Sequence, residues 1–76
     1  MNAHDLEHTA RLLGHSLAEH TLGLFLRREH AIPRECPANV DDARTLAAQF
    51  ADPDDRERLA TAVVRQALAA WAALVR

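Results

Sequence analysis

Apolar residues recur at helical spacing in three stretches of this chain. In the first, Leu6, Ala10, Leu13, Leu17 and Leu24 fall on one narrow stripe when projected at about 100° per residue. After Ala18 the pattern changes. Leu22, Phe25 and Leu26 lie on the other side, so the second half of this helix is apolar nearly all round and needs cover on every side. The second stretch offers Ala43, Leu46, Ala47 and Phe50. The third offers Leu59, Val63, Ala67, Trp71 and Leu74, flanked by Val64, Leu68 and Val75, a stripe about half the circumference wide.

The boundaries follow from local chemistry. Asn2, Asn39 and Asp52 are N-cap candidates, each able to accept from an otherwise unpaired backbone N–H. Each has an Asp three residues on (Asp5, Asp42 and Asp55), an arrangement similar to a capping box. Pro53 suits the first helical position, and Asp54 and Glu57 add negative charge near the positive helix end. Helix 1 is therefore expected from about Ala3 to His30. Arg27, Arg28 and His30 lie at its C-terminal end, and Pro33 prevents continuation. Residues Ala31 to Ala38, with Pro33 and Pro37, read as an ordered loop. Helix 2 is expected from about Val40 to Ala51, and helix 3 from Pro53 to near Arg76, with a tight corner between them.

The fold class is thus all-α, with three helices (long, short, long) in a single domain over residues 1–76. A chain of 76 residues buries a small share of its surface. Two helices of roughly 35–40 Å, at about 1.5 Å per residue, outrun what one short helix can cover. Two chains would supply four long helices, enough for a bundle completed by dimerisation. Leu22, Phe25 and Leu26 are the expected seam, joined by Leu68 and Val75. The alternative is that loop 31–38 and helix 2 fold over this patch within one chain.

Composition narrows the setting. Ala and Leu supply most of the 49% hydrophobic fraction, and both favour helices. Cys36 is the only cysteine, which excludes a disulfide within the chain and fits a reducing compartment. The opening residues do not form a signal peptide, and no apolar run approaches the roughly 18 residues of a membrane span. A cytoplasmic setting with no membrane contact is expected. The formal charge is −2 with pI ≈ 6.2, which argues against nucleic acid as a partner. Helices 2 and 3 could imitate a helix-turn-helix, but the would-be recognition helix begins Pro53-Asp54-Asp55-Arg56-Glu57, with acids where phosphates would lie. Arg58, Arg65 and Arg76 share one face of helix 3, but Ala62, Ala69 and Ala72 dilute it, so it reads as a solvated face.

The five histidines are the most unusual feature. His4, His8 and His15 project onto a strip roughly 40° wide, opposite the Leu6–Leu13–Leu17 stripe. His4 and His8 have the i,i+4 spacing that can chelate zinc, copper or nickel, given further ligands from another helix or subunit. His15 is too far along the axis to join them, and Glu19 is its natural ion partner. His4-x-x-Glu7-His8 has the spacing of an inverzincin metalloprotease, but that chemistry needs a further ligand and a cleft that a chain this short does not supply. His8, Arg11 and Gly14 look in part like a histidine phosphotransfer site, with the Gly too late and too few long helices. Cys36 sits between Glu35 and Pro37 and reads as a small buried side chain. Trp71, inside the helix 3 stripe, reads as core.

No catalytic constellation emerges, so no enzyme activity is expected. The leading expectation is a small non-catalytic interaction module, such as an adaptor, regulator or phage-type inhibitor. It would act as a homo-oligomer that binds another protein and carries no cofactor. The alternative is a His-mediated transition-metal-binding or pH-sensing protein, since five added protons take the formal charge from −2 to +3.

Overall fold

The computed structural model describes residues 1–76 and contains three helices and no strand: α1 (Ala3–Arg27), α2 (Val40–Ala47) and α3 (Pro53–Leu74). Two of the three starts are capped as their sequences require. Asn2 accepts from the Asp5 N–H at 2.8 Å, and Asn39 accepts from the Asp42 N–H at 2.9 Å. The third start differs. Asp52 has the extended backbone of an N-cap and Pro53 follows it, but the Asp52 side chain makes no cap bond. The Asp52 carbonyl accepts from the N–H groups of Asp55 and Arg56, both at 3.0 Å.

Two helix ends fall short of their expected positions. α1 stops at Arg27 because Glu29 turns left-handed, with φ 56°. The His30 N–H then donates to the Phe25 carbonyl at 3.1 Å and the Glu29 N–H to that of Leu26 at 3.3 Å, a Schellman motif. The side chains repeat the link: the Phe25 and His30 rings meet edge-on, 6.5 Å between centroids. α2 ends at Ala47 because its last carbonyls are taken at shorter range. Gln49 donates to Leu46 at 3.0 Å and Phe50 to Ala47 at 3.1 Å. This tightened turn leads into Asp52, which precedes a proline and is held extended.

α1 and α3 run in the same direction. The Met1 amino group reaches Asp55 at 2.9 Å, Arg65 reaches Glu7 at 2.7 Å, and Phe25 packs edge-on against Trp71 at 6.3 Å. The connection from Arg28 to Asp52 carries the chain back to the starting end, with α2 packed mainly on α3. Arg44 ties this corner to α3 through Glu57 at 2.9 Å. The chain is 39 Å long and 14 Å thin.

Small residues dominate the interior. Ala10, Ala18, Ala43, Ala47, Ala60, Ala62 and Ala67 are all buried. The large side chains fully inside are Trp71, Leu59 and Val63, each worth roughly 1.5–3 kcal/mol or more of burial. The Trp71 indole N–H donates to the Pro33 carbonyl at 3.0 Å, which fastens the loop over the helix ends. Ala62, expected on a solvated arginine face, is buried instead. Its neighbour Arg65 pairs with Glu7 on α1, and Arg58 pairs with Asp55 on its own helix. Cys36 is half-buried against the core.

Gly14 is buried where α1 meets α3. A Cβ there would lie 2.6 Å from Gln66 Cβ, 2.8 Å from the Ala67 nitrogen and 2.9 Å from the Val63 oxygen. Backbone cannot yield as a flexible side chain can, so Gly14→Ala should destabilise the fold by about 1–3 kcal/mol despite alanine's better helix propensity. Equilibrium urea denaturation measures this. The opposite sign is expected at Glu29, where a non-glycine residue sits at positive φ: Glu29→Gly should raise stability by roughly 0.5–1 kcal/mol.

Candidate functional site

Eight large apolar side chains remain exposed, and they are not spread evenly. At the end where α1 and α3 both finish, Leu22, Leu26, Ile32, Leu74 and Val75 line an open groove of about 520 Å³, with Pro33 at its base and Arg34 and Arg76 in its wall. Leu26 is 59% exposed, Ile32 43% and Leu74 37%. The Schellman turn makes this groove: it ends α1 early and directs Ala31 and Ile32 across the helix ends, where the Trp71–Pro33 bond holds them.

The residues expected at a seam divide. Leu22, Leu26 and Val75 share the groove. Phe25 does not: it is half-buried, packed between Trp71 and His30 of its own chain. Leu68 is 49% exposed on α3, outside the groove lining. Ile32 and the two arginines were not legible in the sequence as part of this surface. An isoleucine inside a proline-bearing loop was the one signal that the loop touches something apolar.

The histidines line no centre. His4, His8, His15, His20 and His30 are all exposed. His15 pairs with Glu19, as their i,i+4 spacing implies. His4 and His8 sit one turn apart at the start of α1, and no group of three or more His, Cys, Asp or Glu side chains comes together to hold a metal ion. Gly14, which made the stretch from His8 resemble a phosphotransfer site, serves helix packing.

A second hollow, about 440 Å³, lies between α1 and the loop leading into α2. Leu17, Leu24 and Leu46 line it together with Ser16, His20 and Asp42. A serine, a histidine and an aspartate around one hollow are the residue types of nucleophilic catalysis, but no hydrogen bond joins them. The Thr21 hydroxyl beside them is engaged by the Leu17 carbonyl at 2.8 Å.

The opposite end of the molecule carries a group of acidic side chains. Asp52, Asp54, Asp55 and Glu57 gather where α3 begins, the end that favours negative charge on a helix. Asp55 accepts a hydrogen bond from the Met1 amino group, which holds its carboxyl below the ordinary 3.8; the amine is raised above its ordinary 8.0 by the same bond. Asp52 reinforces the amine's shift, whereas Arg58 opposes it and lowers Asp55 further.

Comparison of the chain with protein-family models, with curated proteins and with solved structures finds no match.

The Met1–Asp55 pair makes stability depend on pH at both extremes. A depressed carboxyl contributes above its unfolded value and loses that contribution as pH falls through the folded one. A raised amine contributes below its unfolded value and loses it as pH rises through the folded one. The denaturation midpoint of the wild type should therefore exceed that of Asp55→Asn most between about pH 4 and pH 8, with the difference shrinking on either side. Urea titrations of both proteins across this range measure it.

Proposed function

We propose that this chain is a small helical protein–protein interaction module that works without catalysis, in the manner of an adaptor, a regulator or a phage-type inhibitor. The observation that carries the reading is the open apolar groove at one end, where exposed Leu26, Ile32 and Leu74 stand beside half-buried Leu22 and Val75. Scattered exposed leucines are ordinary, but a contiguous apolar hollow on a chain this small marks a surface that another molecule covers. The arginines in its wall strengthen the reading. Arg is enriched at protein interfaces, where its planar head meets carboxylates and its stem packs on apolar groups. Another protein, a second copy of the chain included, is the partner this surface fits.

Leu26 is the most exposed apolar residue of the groove and lies outside the buried core. Leu26→Asp should therefore leave the helical circular dichroism unchanged while abolishing association. Light scattering after size exclusion should show the wild type heavier than one chain and the variant at the mass of one. A variant that associates as the wild type does would remove the groove from the interface.

A further inference from the structure

We infer that copies of this chain associate head to tail, with the α2–α3 corner around Phe50 of one copy seated in the groove of the next. The inference rests on the interaction reading above and assigns it a partner and an orientation. The two ends of the molecule expose apolar side chains and carry unpaired charges of opposite sign.

At the groove end the surface is concave and apolar. Arg27 and Arg28 finish α1, and Arg34 and Arg76 stand in the groove wall. None of these four is among the arginines engaged in ion pairs, which are Arg44, Arg58 and Arg65. Glu29 and Glu35 are the acidic side chains of the same end, so positive side chains outnumber negative ones there.

The other end carries an exposed aromatic side chain. Phe50 stands on the turn between α2 and α3 and is 53% exposed. Asp52 and Asp54 follow it at the start of α3, exposed and outside every ion pair, whereas Asp41, Asp55 and Glu57 are occupied by Arg44, Arg58 and the Met1 amine. An exposed aromatic side chain with unpaired carboxylates close by in the chain thus lies at one end, and an apolar hollow lined in part by Arg34 and Arg76 opens at the other.

An aromatic anchor filling an apolar pocket is the usual centre of a binding hot spot, and the charges around it set orientation more than affinity. A two-fold contact of groove against groove would bring Arg34 and Arg76 of one copy toward the same residues of the other. Like charges oppose that arrangement. Seating the Phe50 corner brings Asp52 and Asp54 toward them instead. The contact is heterologous, so assembly adds copies without closing a pair. Its mean mass should rise with protein concentration and fall as salt screens the charges.

The test uses the wild type, Phe50→Asp and Leu26→Asp in light scattering, with circular dichroism to confirm the fold of each. Both substituted side chains are exposed. The wild type should grow in mass with concentration, and each variant alone should be a monomer. An equimolar mixture of the two variants should give a species of two chains, because Phe50→Asp retains its groove and Leu26→Asp retains its corner. Recovery of pairing in that mixture is specific to the head-to-tail mode. A Phe50→Asp variant that assembles as the wild type does, while Leu26→Asp does not, would overturn the orientation and leave the interaction reading in place. Two monomeric variants that fail to pair when mixed would also overturn it. A wild type of one-chain mass at every concentration would overturn self-association altogether, and pairing of the groove with a different protein would then be the surviving form of the proposed function.

Discussion

At Gly14 the backbones of α1 and α3 come so close that one added methyl group would meet the Ala67 nitrogen at 2.8 Å. Ala10 and Ala18, one turn before and one turn after, extend the same thin strip, and Ala60 and Ala67 lie buried on α3. Small side chains let two helix axes approach, at the expense of the volume between them. The interior is consequently narrow, with room for Trp71, Leu59 and Val63 as its large fully buried members. Larger side chains elsewhere on the same helices, among them Leu12, Leu26 and Leu68, are left outside. The tight seam and the exposed apolar surface are therefore two results of one packing choice.

The direction of the helices follows in the same way. Because α1 and α3 run parallel, the chain must return along its own length, and residues 28–52 make that return. Like ends then lie side by side: two positive helix starts at one end and two negative helix ends at the other. Some side chains answer this polarity. Asp54 and Asp55 stand in the first turn of α3, where Asp55 also holds the Met1 amine, and Arg27 stands in the last turn of α1. Exposed ion pairs such as Arg65–Glu7 add at most about 1 kcal/mol each, so burial rather than charge holds the helices together. What charge does is give the molecule two unlike ends.

The groove depends on both features. The parallel arrangement brings the two helix finishes together, and the Schellman turn at Arg28 and Glu29 swings Ile32 across them. Trp71 anchors this region, buried, packed edge-on against Phe25 and tied to Pro33 by its indole N–H. The open apolar surface is hence a consequence of how the helices end, and its neighbour on the inside is the largest residue of the core.

Helix identity, helix starts and the main core stripe were legible in the residues alone, because each rests on interactions within four positions along the chain. Asn2 and Asn39 cap as their side chains dictate, and Leu6, Leu17, Leu59, Val63 and Trp71 are buried where a period of about 3.6 residues places them. The surplus of apolar surface was legible too, since it is a sum over side chains. Which of those side chains would stay outside was not. Phe25 and Leu26 are adjacent in sequence and equally apolar, yet one packs on Trp71 and the other faces solvent. Ala62 looked like a spacer on an arginine face and lies buried instead. The sequence by itself determined three helices and their starts, through local hydrogen bonds and periodicity. Only the tertiary structure decided that α1 and α3 run parallel, that Gly14 marks their contact and that a groove opens where they finish, because these depend on contacts between residues far apart in the chain, such as Gly14 and Ala67, for which no local pattern exists.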